Sequence, residues 1–360
     1  MLGELFYSLR EYFFGFNVFK YITFRTALAV MTAFLFTYLT GPYIIQWLRK
    51  LSFTQIIRDD GPKEHLRKEG TPTMGGLMII SSIVITMFLW GDMRNKYVLI
   101  ALFSLIGFGA IGFYDDYLKV IKRNPKGLRS CKKFSAQIIL ALIISLFLYM
   151  NPEDPYKTVL SVPFFKKLLL DLGIFYIPFA IFVIVGSSNA VNLTDGVDGL
   201  AIGLVAIAVI ANGVLIYISG HAGLSKYLQV LFLKNTGELT VFCGAILGAS
   251  LGFLWFNAYP AEVFMGDVGS LSLGGVLGTL AVITKHEIVL AVVGGIFVLE
   301  TISVILQVTS YKLTGKRVFK MAPIHHHFEL LGWQEPKVIV RFWIIGIMLA
   351  LLSLATLKVR

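Results

Sequence analysis

Cysteine is nearly absent: Cys131 lies in a basic loop, Cys243 in an apolar run, and there is no third. That excludes a disulfide framework and a thiolate metal site. Charge is scarce as well, with 15% of residues charged against 56% hydrophobic, a balance that a soluble chain of 360 residues could hardly sustain. There is no arginine-rich tract or recognition motif, so the net charge of +11 does not point to nucleic acid. A membrane protein is basic for its own reason, the enrichment of Lys and Arg in cytoplasmic loops. The first 25 residues carry Glu4, Arg10, Glu11, Lys20 and Arg25 and lack an unbroken apolar centre with a small-residue cleavage site. No removable signal peptide is expected there.

What the chain does have is one long apolar run after another. A helical crossing needs about 20 apolar residues. Spans are expected near Thr26 to Trp47, Met74 to Trp90, Tyr97 to Tyr114, Phe134 to Met150, Gly173 to Ser187, Leu200 to Ile218, Leu239 to Phe256, Leu271 to Thr284, Ile288 to Val308 and Val338 to Leu357. The fold class is therefore all-α, a polytopic membrane protein of about ten transmembrane helices in a single domain over residues 1–360. Residues 1–21 place Leu2, Leu5, Phe6, Leu9, Tyr12, Phe13 and Phe16 at helical spacing, which predicts an interfacial amphipathic helix. The eighth span, short and glycine-rich, is the least typical of the ten.

Lys and Arg concentrate in the loops after spans one, three and nine and outnumber those on the other side by more than two to one. This assigns the loops 48–73, 115–133, 188–199, 257–270 and 309–337 to the cytoplasm and both termini to the periplasm. The connection 151–172, with Pro152, Pro155 and Pro163, becomes an external excursion. No internal repeat stands out: Gly109 to Phe113 and Gly248 to Phe253 look alike, but small residues at helix interfaces explain that equally well.

The polar segments fall on the same face. Asp115 and Asp116 begin the second cytoplasmic loop, Asn189 to Asp198 (NAVNLTDGVD) forms the third, Asp267 lies in the fourth and His325, His326 and His327 in the fifth. Solvated charges would scatter over both faces, whereas a shared site requires this convergence. The third and fourth loops contain no Lys or Arg, so their carboxylates need a positive partner. All-oxygen ligands favour Mg²⁺ or Mn²⁺ over zinc, and Mg²⁺ is usually held by one or two carboxylates together with substrate phosphates. Three successive histidines cannot easily chelate one ion, because neighbours diverge by about 100° on a helix. They suit phosphate donors or proton carriers better, with at least one expected to cap or pack its loop. Lys312, Lys316, Arg317 and Lys320 form a basic rim for anionic headgroups, which the positive-inside bias alone would also provide. Glu300 and Gln307 fall inside span nine, where a carboxylate serves either function or a buried hydrogen bond that fixes a bent helix.

Five segments carry a resemblance: TPTMGG (Thr71 to Gly76), GFYDDYLK (Gly112 to Lys119), NAVNLTDGVDGLA (Asn189 to Ala201), GFLWFNAYPAEVFMGDVGSL (Gly252 to Leu271) and MAPIHHHFEL (Met321 to Leu330). In order and over nearly the whole chain, they resemble the phospho-N-acetylmuramoyl-pentapeptide transferase family. The resemblance implies Mg²⁺-dependent transfer of phospho-N-acetylmuramoyl-pentapeptide from its UDP carrier to undecaprenyl phosphate, giving lipid I and UMP at the cytoplasmic face of the bacterial inner membrane. By motif position it implies Asp267 as metal ligand and Asp115 and Asp116 as the catalytic pair. It places Lys68 at the nucleotide, and Asn192, Leu193, Asp195, Gly196, Asp198 and Phe264 at the uridine and diphosphate. Gln307 and the three histidines fall where the family contacts substrate or inhibitor, His325 being grouped with the catalytic residues, and Lys119 and Lys133 match more loosely. A homodimer is compatible with the resemblance, and membrane lipid is implied as a partner.

Two rivals differ in testable ways. A transferase of N-acetylglucosamine 1-phosphate to polyprenyl phosphate would share most motifs but not MAPIHHHFEL. An ion-coupled transporter would need an inverted repeat and ionisable residues at mid-bilayer depth, whereas most acids here sit at span ends.

Overall fold

The computed structural model describes residues 2–51, 70–120, 122, 127–151, 155–163 and 168–359. Its helices, in chain order, are α1 (Leu2–Ser8), α2 (Ile22–Lys50), α3 (Gly76–Trp90), α4 (Lys96–Val120), α5 (Ser130–Tyr149), α6 (Tyr176–Thr194) and α7 (Leu200–Gly220). They continue as α8 (Ala222–Leu228), α9 (Leu239–Asn257), α10 (Gly266–Thr284), α11 (Glu287–Val293), α12 (Gly295–Thr314), α13 (Ile324–Leu330) and α14 (Glu335–Val359). Among the described residues nine helical segments are long and apolar enough to cross a membrane, with the shorter Gly76–Trp90 beside them. The protein is a polytopic helical membrane protein. All ten expected spans are present as helices, for a simple reason: in hydrocarbon every backbone N–H and C=O must bond within its own segment.

Four expectations change in detail. Residues 1–21 do not form one interfacial helix: α1 is followed by short 3-10 turns at Leu9–Glu11 and Phe14–Lys20, with Phe13 extended between them. That bend folds the aromatic rings onto one another, Phe6 lying 5.4 Å from Phe16 and 4.9 Å from Phe19, and Phe19 stacking on Trp90 at 6.0 Å. The external excursion contains a small antiparallel pair, β1 (Val159–Ser161) against β2 (Leu169–Asp171), the one departure from an all-α fold among the described residues. Span nine is broken at Gly294 into α11 and α12. The polar segments expected as loops are largely helical: α4 carries Asp115 and Asp116, α6 runs to Thr194, α10 begins at Gly266 and α13 holds the histidines.

The unusual eighth span turns out to be the hub. Every residue of α10 from Val268 to Thr284 is buried, and it packs on α3, α4, α6 and α11. Glycines on both sides of its contacts let backbones meet. Within α10 a Cβ on Gly274 would lie 2.5 Å from the backbone oxygen of Ser187 and one on Gly278 2.8 Å from Cα of Ile184. A Cβ on Gly76 of α3 would lie 2.1 Å from the nitrogen of Gly269, and one on Gly112 of α4 would lie 2.1 Å from the backbone oxygen of Asp267. Around this hub α2 packs on α9, and α7 lies between α9 and α14. The ends of α4, α6 and α9 and the starts of α5, α10 and α14 gather at one end of the bundle, where the site lies.

Candidate active site

The site is built from helix ends. Asp267 is in the first turn of α10, a position where the helix dipole favours a negative charge. One of its oxygens, Oδ1, accepts from Nδ2 of Asn192 at 2.6 Å, and that amide also donates to Oγ of Ser270 at 2.8 Å. The other, Oδ2, accepts from Nζ of Lys119 at 2.6 Å and Nζ of Lys133 at 2.8 Å. The same two ammonium groups reach Oδ2 of Asp115, at 2.9 Å from Lys119 and 3.0 Å from Lys133. Two carboxylates on two helices are thus bridged by two lysines on α4 and α5. Charge-assisted bonds of this length are the strong kind.

Asp115 is otherwise satisfied by the backbone, its Oδ1 accepting from the N–H of Leu128 at 2.6 Å. Asp116 does something the sequence did not reveal. Its Oδ2 accepts from the N–H of Val268 at 3.2 Å, so a carboxylate from α4 caps the N-terminus of α10. Gly266 makes room for this: it sits at φ +71°, and a Cβ there would lie 2.6 Å from that oxygen. Both aspartates are buried.

The Asn192–Asp198 segment supplies the second wall. Leu193 is half-buried on the last turn of α6, and Asp195 caps that helix before a tight turn through Gly196. Burial pushes the Asp195 carboxyl up to about 8, with the negative charges of Asp267 and Asp198 adding to the effect. Asp198 faces elsewhere: its Oδ2 accepts from the N–H of Ala261 at 3.0 Å, fastening the turn to the 258–265 loop. Two residues that the sequence did not single out hold the same turn. Oε1 of Glu335 accepts from the N–H of Asp198 at 3.0 Å, and Oδ1 of Asn257 accepts from the N–H of Gly199 at 3.0 Å while its Nδ2 donates to the oxygen of Val263. A polar residue at the last position of an apolar span was the available signal for Asn257. Glu335 offered none.

Phe264 contributes its backbone. Its N–H donates to the oxygen of Pro72 and its carbonyl accepts from the N–H of Gly75, so the Thr71 to Gly76 segment is fastened to the 263–265 stretch. Lys68 lies outside the described residues.

The histidines stand on α13 and diverge as successive helical residues must. His325 is fully buried beside Glu300 of α12, with Nδ1 3.1 Å from Oε1. His326 pairs through Nδ1 with Oε2 of Glu329 at 2.7 Å. His327 has the packing role expected of one of the three: its Nδ1 accepts from the N–H of Lys320 at 3.1 Å and its ring meets that of Phe319 edge-on. Gln307 braces the same loop. Its Nε2 donates to the oxygen of Phe319 and its Oε1 accepts from the N–H groups of Val318 and Phe319, so its amide is committed to backbone rather than presented to the Asp267 cluster.

The donor set fits a hard cation. Asp267 and Asp115 offer carboxylate oxygens at one spot, with Asp116 and Asp195 charge-coupled to Asp267. Among the described residues no three His, Cys, Asp or Glu side chains close round an ion by themselves. That pattern suits Mg²⁺, which takes one or two carboxylates and completes its shell with water and substrate phosphate. The lysines that now hold Asp267 Oδ2 are themselves suited to phosphate.

Known proteins place this geometry in context. A family model described as glycosyl transferase family 4 matches residues 98–285, from α4 to the end of α10, and a phospho-N-acetylmuramoyl-pentapeptide-transferase signature matches residues 68–80. A phospho-N-acetylmuramoyl-pentapeptide-transferase of Thermodesulfovibrio yellowstonii is 69% identical over 361 residues, covering 100% of both chains. Proteins of that name from Pelobacter propionicus and Citrifermentans bemidjiense are 58% and 56% identical over 360 residues, again with 100% of each chain covered. With the helix-end carboxylates, the two bridging lysines and full-length relatives at this identity, the chain belongs to the phospho-N-acetylmuramoyl-pentapeptide-transferase family.

Proposed function

We propose that this transferase moves phospho-N-acetylmuramoyl-pentapeptide from UDP-N-acetylmuramoyl-pentapeptide to undecaprenyl phosphate with Mg²⁺, forming lipid I and UMP at the cytoplasmic face of the inner membrane. The observation that carries the reading is the cluster of Asp115, Asp267, Lys119 and Lys133 at one end of a membrane bundle, in a chain that matches its family relatives end to end.

An oxygen of the acceptor phosphate attacks the sugar-bearing phosphorus, and the bond from that phosphorus to the UMP oxygen breaks. Three phosphate groups crowd together, so cationic donors must offset their repulsion as charge shifts. Lys119 and Lys133 each already share their protons among several carboxylate oxygens, and an arriving phosphate competes for the same N–H groups. That exchange would free Oδ2 of Asp267. When bound, Mg²⁺ held by Asp267, with Asp115 alongside, would neutralise phosphate charge and stabilise the departing UMP. Asn192 keeps the Asp267 carboxylate aimed by holding its other oxygen. Asp115 is the carboxylate placed to orient the acceptor phosphate or take its proton, while Asp116, tied to the N–H of Val268, holds α10 in place. Asp195, protonated at neutral pH, can donate to a diphosphate oxygen instead of repelling it. A lipid acceptor explains the setting: its headgroup lies at the interface while its tail stays among the helices.

The test is UMP release by purified protein in detergent. Release from UDP-N-acetylmuramoyl-pentapeptide should need both polyprenyl phosphate and Mg²⁺. No release, or equal turnover of UDP-N-acetylglucosamine, would overturn the reading.

A further inference from the structure

Glu300 has no place in the account so far, yet it is a fully buried carboxylate within an apolar helix. Neither of its oxygens has a hydrogen-bond partner, and neither ring nitrogen of His325 has one. Leaving such groups unpartnered in the interior costs about 1–3 kcal/mol each, more where charge is involved. They are each other's complement: Nδ1 of His325 lies 3.1 Å from Oε1 of Glu300, the N–H direction off the line to the oxygen. Catalytic hydrogen bonds are often misaligned until substrate binds and tighten only then.

The far side of the ring is more informative. A Cβ on Gly196 would lie 2.6 Å from Nε2 of His325 and 3.4 Å from Nε2 of His326. Both imidazoles therefore face the Gly196 turn with Nε2, beside Asp195, and Nε2 of His325 is buried against that turn without a hydrogen-bond partner. Each also has a carboxylate at its Nδ1, Glu300 for His325 and Glu329 for His326. A carboxylate only accepts, so it fixes the proton on Nδ1 and leaves Nε2 as the working atom.

We propose that Glu300 is a positioning residue that acts through His325, holding the ring so that its Nε2 joins that of His326 as a two-imidazole clamp on the donor's diphosphate at the Gly196 turn. This rests on the transferase reading. A phosphate oxygen at Nε2 gives each ring an anion on both sides, the carboxylate at Nδ1 and the phosphate at Nε2. Glu329 does the same work for His326 on the more accessible side of the clamp.

Three measurements on the full chain in detergent test this. In wild-type protein labelled with ¹⁵N-histidine, with the His325 signal identified by its loss in His325→Gln, Nδ1 should carry the proton and Nε2 should shift on adding UDP-N-acetylmuramoyl-pentapeptide. A bare Nδ1, or an unmoved Nε2, overturns the proposal without any Glu300 variant having to fold. In kinetics, Glu300→Gln should keep the thermal midpoint and hold KM within about threefold while kcat falls about tenfold or more. Unchanged kcat in a folded Glu300→Gln protein counts against it. Finally, Glu300→Ala should cost little further rate once His325 is already Gln, because the two act as a unit. Equal losses in both backgrounds would show Glu300 acting independently of His325. Wild-type protein that releases no UMP would sink the transferase reading itself, whereas an active wild type with an insensitive Glu300 sinks only this inference.

Discussion

The two ends of the bundle use buried polar residues in opposite ways. At the end away from the site, several charges are spent on architecture. Arg25 forks onto Glu238 at 2.8 and 2.6 Å and its guanidinium also reaches the oxygen of Trp90, while Lys96 donates to Asn151 at 2.8 Å. Lys285 donates to Tyr176 at 3.0 Å and to the oxygen of Lys157 at 3.1 Å, and Tyr176 donates to Glu287. These contacts tie α2 to the α9 entry and the β1–β2 pair to the α10 exit. At the site end the charges are shared and exchangeable: two lysines divide themselves between two aspartates, and a carboxylate and an imidazole lie in contact without a hydrogen bond. One end ties helices together; the other leaves its polar contacts open to exchange.

Substitutions should separate the ends by what they damage. The largest effect is expected of Asp267→Asn, which keeps size but replaces one of the two accepting oxygens with a donor and removes the charge that organises both lysines. UMP release should fall about 10³-fold with the thermal midpoint nearly unchanged, and near-wild-type turnover would remove Asp267 from the chemistry. Next, Lys133→Met leaves Asp115 and Asp267 facing each other with Lys119 alone between them. A loss of about 10²-fold in kcat is expected, measured with saturating Mg²⁺ so that weaker metal binding is not mistaken for slower chemistry.

A smaller effect concerns pH. The Asp195 carboxyl, lifted to about 8, holds its proton below that value and loses it above, adding a negative charge beside Asp267. Activity should therefore decline as pH rises through about 8, and Asp195→Asn, neutral at every pH, should flatten that limb of the profile. An unchanged alkaline limb would show that Asp195 does not control it. At the opposite end, Arg25→Ala should leave kcat and KM intact while costing about 2 kcal/mol of stability from the lost charged hydrogen bonds, read as a lower thermal midpoint. If Arg25→Ala instead slowed turnover at full stability, the division of labour between the ends would fail.

Much of this was legible in the sequence because hydrophobic length is such a strong constraint. Each of the ten runs is helical, the ninth broken into α11 and α12, and the segments containing Asp115, Asp116, Asn192 and Asp267 gather at one end. What the sequence hid has a common cause. Polar residues at the edge of a span look like loop residues, so the helical placement of Asp116 and Asn192 was missed, and with it the cap that Asp116 provides for α10. The glycines of α10 weakened its reading as a span, although they mark a helix buried along its length and met closely by neighbouring backbones. Gln307, matched by motif to a substrate-contact position, also braces the loop at Val318 and Phe319, a job that depends on a chain reversal no periodicity announces. Glu335 and Asn257 act on backbone amides of the 198–199 turn, and contacts to a neighbour's main chain leave no trace in side-chain chemistry.

The close approach at Gly112 carries a consequence for how such an enzyme can change. Because main chain meets main chain there, the spacing between the α4 and α10 carboxylates is set by two backbones rather than by adjustable side chains. The pair of carboxylates is a fixed gauge: it cannot widen or narrow without parting two helices along their length. Adaptation to a different sugar or peptide must come from what surrounds that gauge, the 258–265 loop and the α12 to α13 connection, leaving the charge geometry untouched.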